Sequence, residues 1–207
     1  MRSARTAPLI VTVAAFVPGV AGAHLLVSGM GPLYDGVDHF GLTPQDVLPV
    51  AALGLLAGLR GPPTARLLLG VLPASWLVGG AIGMAGAVPA APVLAWATAG
   101  LFMLVGGSLA ADLRAPRAVF GLLSASLGLT RGLADLAGAA PDPGAALLSL
   151  AGMAASVFVA FALVASVTLP LTRLWMIVAA RVAGSWLAAA GLLMAGWILR
   201  FGARVVS

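Results

Sequence analysis

Long uncharged stretches alternate along the chain with short loops that hold most of its charged residues. A helix needs about 20 mainly apolar residues to cross a bilayer, and Gly, Pro and charged residues mark the ends of such stretches here. The segments predicted to cross lie at about residues 44–59, 65–86, 90–111, 118–139, 143–172 and 174–200. This pattern predicts an all-α membrane protein, a polytopic bundle of six transmembrane helices.

The first 23 residues predict a secretory signal or a signal anchor. Arg2 and Arg5 precede an apolar stretch, and Ala21-Gly22-Ala23 fits the pattern of small residues at a cleavage site. Cleavage there would leave His24 as the first residue of the mature chain. The alternative is an uncleaved anchor helix that precedes the six predicted spans.

The arginines predict how the chain is oriented in the membrane. Loops rich in Arg remain on the cytoplasmic side. Arginines occur in every second one of the segments that flank the predicted spans, at Arg2/Arg5, Arg60/Arg66, Arg114/Arg117 and Arg173. The chain is therefore predicted to place residues 24–43 outside the cytoplasm and to form the bundle from residues 44–207.

Composition supports the membrane interpretation and excludes several classes of function. The chain is 61% hydrophobic and 8% charged, with a mean hydropathy of +1.11, whereas soluble domains average about 25% charged residues. Such a chain is expected to contact the lipid bilayer. The net charge of +5 comes from scattered arginines, so no clustered patch for nucleic acid is expected. The absence of Cys excludes disulfides and thiolate ligands.

Scarce polar side chains gather in the stretch GPLYDGVDHF, residues 31–40. Asp35, Asp38 and His39 offer carboxylate and imidazole ligands that suit a divalent transition metal. His24 is the only other His and could join them, and Tyr34 could support the ligands. The alternative is that the two Asp residues bond their own backbone in a turn, with His39 at the membrane interface.

Ionisable residues also occur within the predicted spans. Asp46 follows Thr43 at a helix start, where it is expected to cap the helix, although a role beside the metal ligands is the alternative. Arg131 and Asp135 are four residues apart, so they are expected to pair on one helix face or to line an ion path. Arg181 has no acid nearby, which predicts a distant partner such as Asp135, or backbone carbonyls.

No pattern predicts an enzyme. The sequence contains no HExxH, no GxSxG and no Gly-rich phosphate loop, and both histidines precede the predicted spans.

Two motifs make the chain similar to the HupE/UreJ family of bacterial membrane proteins, which are associated with nickel or cobalt uptake. The family carries an early motif, HPxxGxDH, outside the membrane, and GPLYDGVDH here matches it at Pro32, Gly36, Asp38 and His39. Gly31 stands in place of the leading His, and Asp35 is expected to substitute for that ligand.

The second motif of the family, HGxAHGxE, lies within the membrane. Its counterpart here is RGLADLAG, with Arg131, Asp135 and Gly138 at the positions of the two His and the Glu. The resemblance implies a cleavable signal, about six transmembrane helices and a nickel or cobalt ion as cargo. An Arg in a cation path raises the barrier to a divalent ion.

These observations predict capture of a divalent transition metal at the periplasmic face by Asp38 and His39, with help from Asp35 and His24. The alternative is a non-transporting scaffold or assembly factor for a metalloenzyme or respiratory complex. A third hypothesis is an anion transporter that uses Arg131 and Arg181.

Overall fold

The computed structural model describes residues 29–138, 142–171 and 173–201. Within these ranges the chain forms seven α-helices and no strand. The helices are α1 (Pro32–Leu42), α2 (Pro44–Arg60), α3 (Pro62–Met84), α4 (Ala91–Ala110), α5 (Arg117–Asp135), α6 (Pro143–Thr168) and α7 (Leu174–Phe201). The predicted all-α class is confirmed.

Proline marks the start of several helices. Pro32, Pro44, Pro62 and Pro143 each stand in the first turn, where the missing N–H removes no helical hydrogen bond. At the start of α6, the Asp142 side chain also accepts a hydrogen bond of 2.9 Å from the N–H of Gly144. These local signals explain why most helix starts could be predicted to within a few residues.

In the part of the chain that the structure describes, four helices could each span a membrane, or five spans are possible if one bent pair of helices counts as a span. By length and apolar composition, α3, α4, α6 and α7 could each cross, and α1 with α2 passes as a bent pair whose axis turns by 73°. The prediction of six spans and an anchor helix is therefore not confirmed: α5 is not among these candidates, and the anchor segment lies outside the described residues. Large apolar side chains exposed along the helices fit a multi-pass protein in contact with lipid.

Residues 32–42 form a helix, so the interpretation of this stretch as a tight turn is wrong. A Cβ added to Gly36 would collide with the Ser149 carbonyl on α6, and one added to Gly152 would collide with the Leu33 carbonyl on α1. Glycine at both positions lets the two backbones touch. This close contact fixes α1 against α6 and so fixes where its last turn, with His39, can lie.

Helix α2 is the centre of the bundle and contacts each of the other six helices. Its buried residues run nearly its whole length, from Asp46 to Gly58. The last turn of α1 packs beside it, where the Phe40 ring meets Trp76 of α3 edge to face at 6.1 Å. Both ends of α2 therefore lie where other helices converge.

Glycines also allow α5 to pack closely against α3. A Cβ on Gly128 would collide with the Ser75 hydroxyl, and one on Gly132 would collide with the Trp76 carbonyl. Helix α5 thus cannot slide along α3 without breaking these contacts, which holds Arg131 and Asp135 at the end of the bundle where α2 begins.

The opposite end of α2 is tied to the loop after α4. Arg60 donates a hydrogen bond to Asp112, and Arg114 lies 3.7 Å from the other carboxylate oxygen. The Arg60 guanidinium lowers the pKa of Asp112 below its ordinary value. Arg181 of α7 donates to the Ala110 carbonyl at 2.9 Å, so a backbone carbonyl, and not Asp135, satisfies it.

Candidate metal centre

Four ionisable side chains meet where α1 ends, α2 begins and α5 ends. Arg131 Nε donates a hydrogen bond of 2.5 Å to Asp46 Oδ1, and Arg131 Nη2 donates one of 2.8 Å to Asp135 Oδ1. His39 Nε2 lies 3.7 Å from Asp135 Oδ1, which is too long for a hydrogen bond. Arg131 therefore bridges two carboxylates, and the imidazole stands beside the pair.

This cluster leaves three polar atoms without a partner among the described residues. They are His39 Nε2, Asp46 Oδ2 and Asp135 Oδ2, and each is buried. A buried polar atom without a hydrogen bond costs free energy, particularly when it belongs to a charged group. The three atoms come from three helices that the fold brings together, so this free-energy cost falls on one cluster.

Burial and charge distinguish the cluster from an ordinary ion pair. The side chains of Asp46, Asp135 and Arg131 are 0%, 3% and 7% exposed, whereas that of His39 is 22% exposed. With a neutral imidazole, two carboxylates and one guanidinium leave an excess of one negative charge. His39 is the most exposed of the four side chains, although its Nε2 is buried, and a cation bound in the cluster would offset the excess.

The donor set suits a divalent transition metal. His39, Asp46 and Asp135 each offer one ligand atom, and these atoms all lie within 4.8 Å of one another. One imidazole nitrogen and two carboxylate oxygens are ligands that Mn²⁺, Co²⁺, Ni²⁺ and Zn²⁺ accept. Metal–ligand bonds of about 2.1 Å put neighbouring ligands about 3–3.5 Å apart, so an ion would draw this group together.

The turn between α1 and α2 positions two of these side chains. The Thr43 hydroxyl donates a hydrogen bond of 2.6 Å to the carbonyl of His39, which joins the end of α1 to the start of α2. Asp46 does not cap α2, because the Thr43 N–H donates to the Phe40 carbonyl and the only hydrogen bond to the Asp46 carboxylate from the described residues comes from Arg131. The expected capping role of Asp46 is therefore wrong: its carboxylate bonds Arg131.

The remaining residues of the predicted site lie apart from this group. Asp35 and Asp38 are on α1 with His39, but neither belongs to the His39–Asp46–Asp135 group. Tyr34 is half exposed on the same helix. His24 lies outside the described residues. Of the three predicted metal ligands that the structure describes, Asp35, Asp38 and His39, only His39 lies in the cluster.

Pairing of Arg131 with Asp135 follows from their spacing of four residues, as predicted. The contact between Asp46 and Arg131, which are 85 residues apart, was missed. The available signal was an acid inside an apolar helix, which requires a buried partner, and Arg131 is a cation inside another predicted span.

No protein-family model, curated protein or solved structure matches this chain. The similarity to the HupE/UreJ family stays a prediction from the two motifs.

Proposed function

We propose that this protein binds a divalent transition-metal ion, nickel or cobalt by its resemblance to HupE/UreJ, and takes part in the uptake of that ion. The observation that carries this proposal is that one ligand atom each of His39, Asp46 and Asp135 lies within 4.8 Å of the others. In addition, His39 Nε2, Asp46 Oδ2 and Asp135 Oδ2 are buried without a hydrogen-bond partner in the part of the chain that the structure describes. A structural ion pair needs only Arg131 and its two carboxylates. The imidazole beside them, whose Nε2 makes no hydrogen bond to the described residues and lies 3.7 Å from Asp135 Oδ1, favours a metal site.

The placement of the two motifs supports the same conclusion. His39 belongs to the first motif, and Arg131 and Asp135 belong to the second. They are more than 90 positions apart in the sequence, yet His39 and Asp135 lie 3.7 Å apart. The two segments that resemble the metal-uptake family thus meet at one centre.

The proposed entry side is the periplasmic face of a bacterial inner membrane. The positive-inside rule assigns the loops with Arg60 and Arg114 to the cytoplasm, and the Arg60 end of α2 is the end away from the cluster. His39, the most exposed of the four side chains, then faces the side from which an external ion arrives.

The test is cobalt binding by the purified protein, with uptake of radioactive cobalt by cells that express it. His39→Ala and Asp135→Asn should each weaken binding about tenfold or more and reduce uptake, because each removes one ligand. Asp38→Asn is the matched control, since it changes an acid on the same helix outside the cluster. Equal cobalt binding by wild type and His39→Ala would reject the proposal.

A scaffold or assembly role is the second candidate. Helix α7 is the least buried of the four single helices that could span a membrane, and it exposes Trp175, Trp186 and Trp197. Lipid could cover this face, and so could a partner subunit. Purification in mild detergent should recover a stoichiometric metalloenzyme or respiratory partner if this role is correct, and a solitary chain would count against it.

The anion-transport hypothesis has little support from the charges. Arg131 is already paired with two carboxylates, and Arg181 bonds a carbonyl at the opposite end of the bundle. The two arginines therefore do not form one cationic site that an anion could occupy.

A further inference from the structure

Arg131 occupies an unusual position for a metal centre. It bonds the same two carboxylates that would bind the metal, and it uses one oxygen of each, Oδ1, while both Oδ2 atoms stay without a partner among the described residues. The guanidinium therefore fixes how the carboxylates are rotated and also places a permanent positive charge beside the ion.

The fold gives Arg131 little room to withdraw. Its neighbour Gly132 packs directly against the Trp76 carbonyl, and Gly128, one turn earlier, packs directly against Ser75. Its side chain is 7% exposed. Arg remains protonated even when buried, so any cation that enters the cluster must bind next to this charge.

Two like charges repel more strongly in a buried site than in water. A transported ion must bind firmly enough to enter and weakly enough to leave. Two carboxylates and an imidazole, with no nearby cation, would hold a divalent ion tightly. A fixed cation in the same cluster weakens that hold while leaving the ligands in place.

We propose that Arg131 is a resident cation of the metal centre, which orients Asp46 and Asp135 for the ion and lowers the affinity of the site so that the ion can be released. This inference rests on the proposed function and extends it to the regulation of affinity at the same site.

The experiment measures cobalt affinity by titration calorimetry for wild type, Arg131→Gln, Arg131→Met and Arg131→Lys. Removing the charge should tighten cobalt binding about tenfold or more, while uptake by cells falls because release is slow. Arg131→Lys keeps the charge and should stay within about threefold of wild type. Arg66→Gln, at an exposed arginine, is the control and should not change affinity.

Loss of the arginine could also prevent folding, so thermal stability is measured with and without excess cobalt. The bound metal should replace the missing cation and stabilise Arg131→Gln by more than it stabilises wild type. Affinity that is unchanged or weaker in both neutral variants overturns the inference, as does failure of both to fold in excess cobalt. If wild type binds no cobalt, the proposed function itself fails.

Discussion

The two ends of the central helix α2 carry the same kind of contact in different surroundings. At its start, Asp46 pairs with Arg131, and at its end, Arg60 pairs with Asp112. The second pair is partly solvated, with side chains 13% and 29% exposed. The side chains of the first pair are only 0% and 7% exposed. This pair lies beside Asp135 Oδ2 and His39 Nε2, neither of which has a hydrogen-bond partner among the described residues.

This difference separates a structural tie from a candidate site. Asp112 is 29% exposed, so water reaches its carboxylate, and although Arg60 Nε is buried without a partner, no group of three metal-ligand side chains forms at this end of the described chain. At Asp46 the remaining oxygen is shut away from water, and its free energy improves only if a cation or a proton arrives. The same pair of residue types therefore has different consequences at the two ends.

Removing Asp46 should produce the largest effect. Asp46→Ala leaves Arg131 with one carboxylate in a buried site, and breaking a buried pair costs about 3–5 kcal/mol. The free energy of unfolding in mixed detergent micelles measures this loss. Arg60→Ala at the other end of α2 is the comparison and should cost no more than about 1 kcal/mol. Equal losses in the free energy of unfolding for Asp46→Ala and Arg60→Ala would show that the two ion pairs do not differ in this way.

A glycine substitution should move the site without touching a ligand. Gly36→Ala directs a methyl group at the Ser149 carbonyl and forces α1 away from α6, at a cost of about 1–3 kcal/mol. Because His39 follows on the same helix, cobalt affinity should also fall. Gly41→Ala is the matched control, since its added Cβ would meet no atom within 4 Å. Similar stabilities and affinities for the two variants would show that α1 is not held by this contact.

Asp112→Asn should have a smaller effect that depends on pH. The loss near neutral pH should be about 0.5–1 kcal/mol, as for a partly exposed pair. Because Arg60 lowers the pKa of Asp112, its carboxylate stabilises the fold above the ordinary Asp pKa, and this contribution is lost as the pH falls through the lowered value.

Unfolding measured from neutral to acidic pH tests this expectation. The two proteins should differ at neutral pH, and the difference should shrink below the ordinary Asp pKa and vanish below the lowered one. A difference that is constant across this range would contradict the assigned cause.

Tyr34→Phe should have the smallest effect. Tyr34 is half exposed on α1 and stands outside the His39–Asp46–Asp135 group. Both stability and cobalt affinity should stay near wild type, with less than about 0.5 kcal/mol of change in unfolding. A clear loss of cobalt affinity would contradict this expectation and would show that Tyr34 supports the metal ligands.

Much of the helical framework could be predicted from the sequence. Helix α4 was expected over residues 90–111 and is Ala91–Ala110, and α7 was expected over 174–200 and is Leu174–Phe201. Long apolar stretches ended by charged residues, Pro or Gly specify such helices locally. Helix α1 differs, because its eleven residues include two Asp and two Gly. A contact with α6 stabilises it, and hydrophobic pattern does not report such a contact.

The site was predictable only in part for a related reason. Arg131 and Asp135 are neighbours on one helix, so their spacing predicts the pair. Asp46 reaches Arg131 only because glycines seat α5 on α3 and because α2 runs through the middle of the bundle. Sequence spacing carries no information about that arrangement, and a capping role for Asp46 was the simpler local interpretation.

X-ray absorption of the cobalt-loaded protein tests the central claim most directly. Wild type should bind one cobalt with a shell of nitrogen and oxygen ligands at about 2.0–2.2 Å and with the scattering signature of one imidazole. That signature should disappear in His39→Ala and persist in Asp38→Asn. A spectrum of hydrated cobalt in wild type, or an imidazole signature that survives in His39→Ala, would contradict the account.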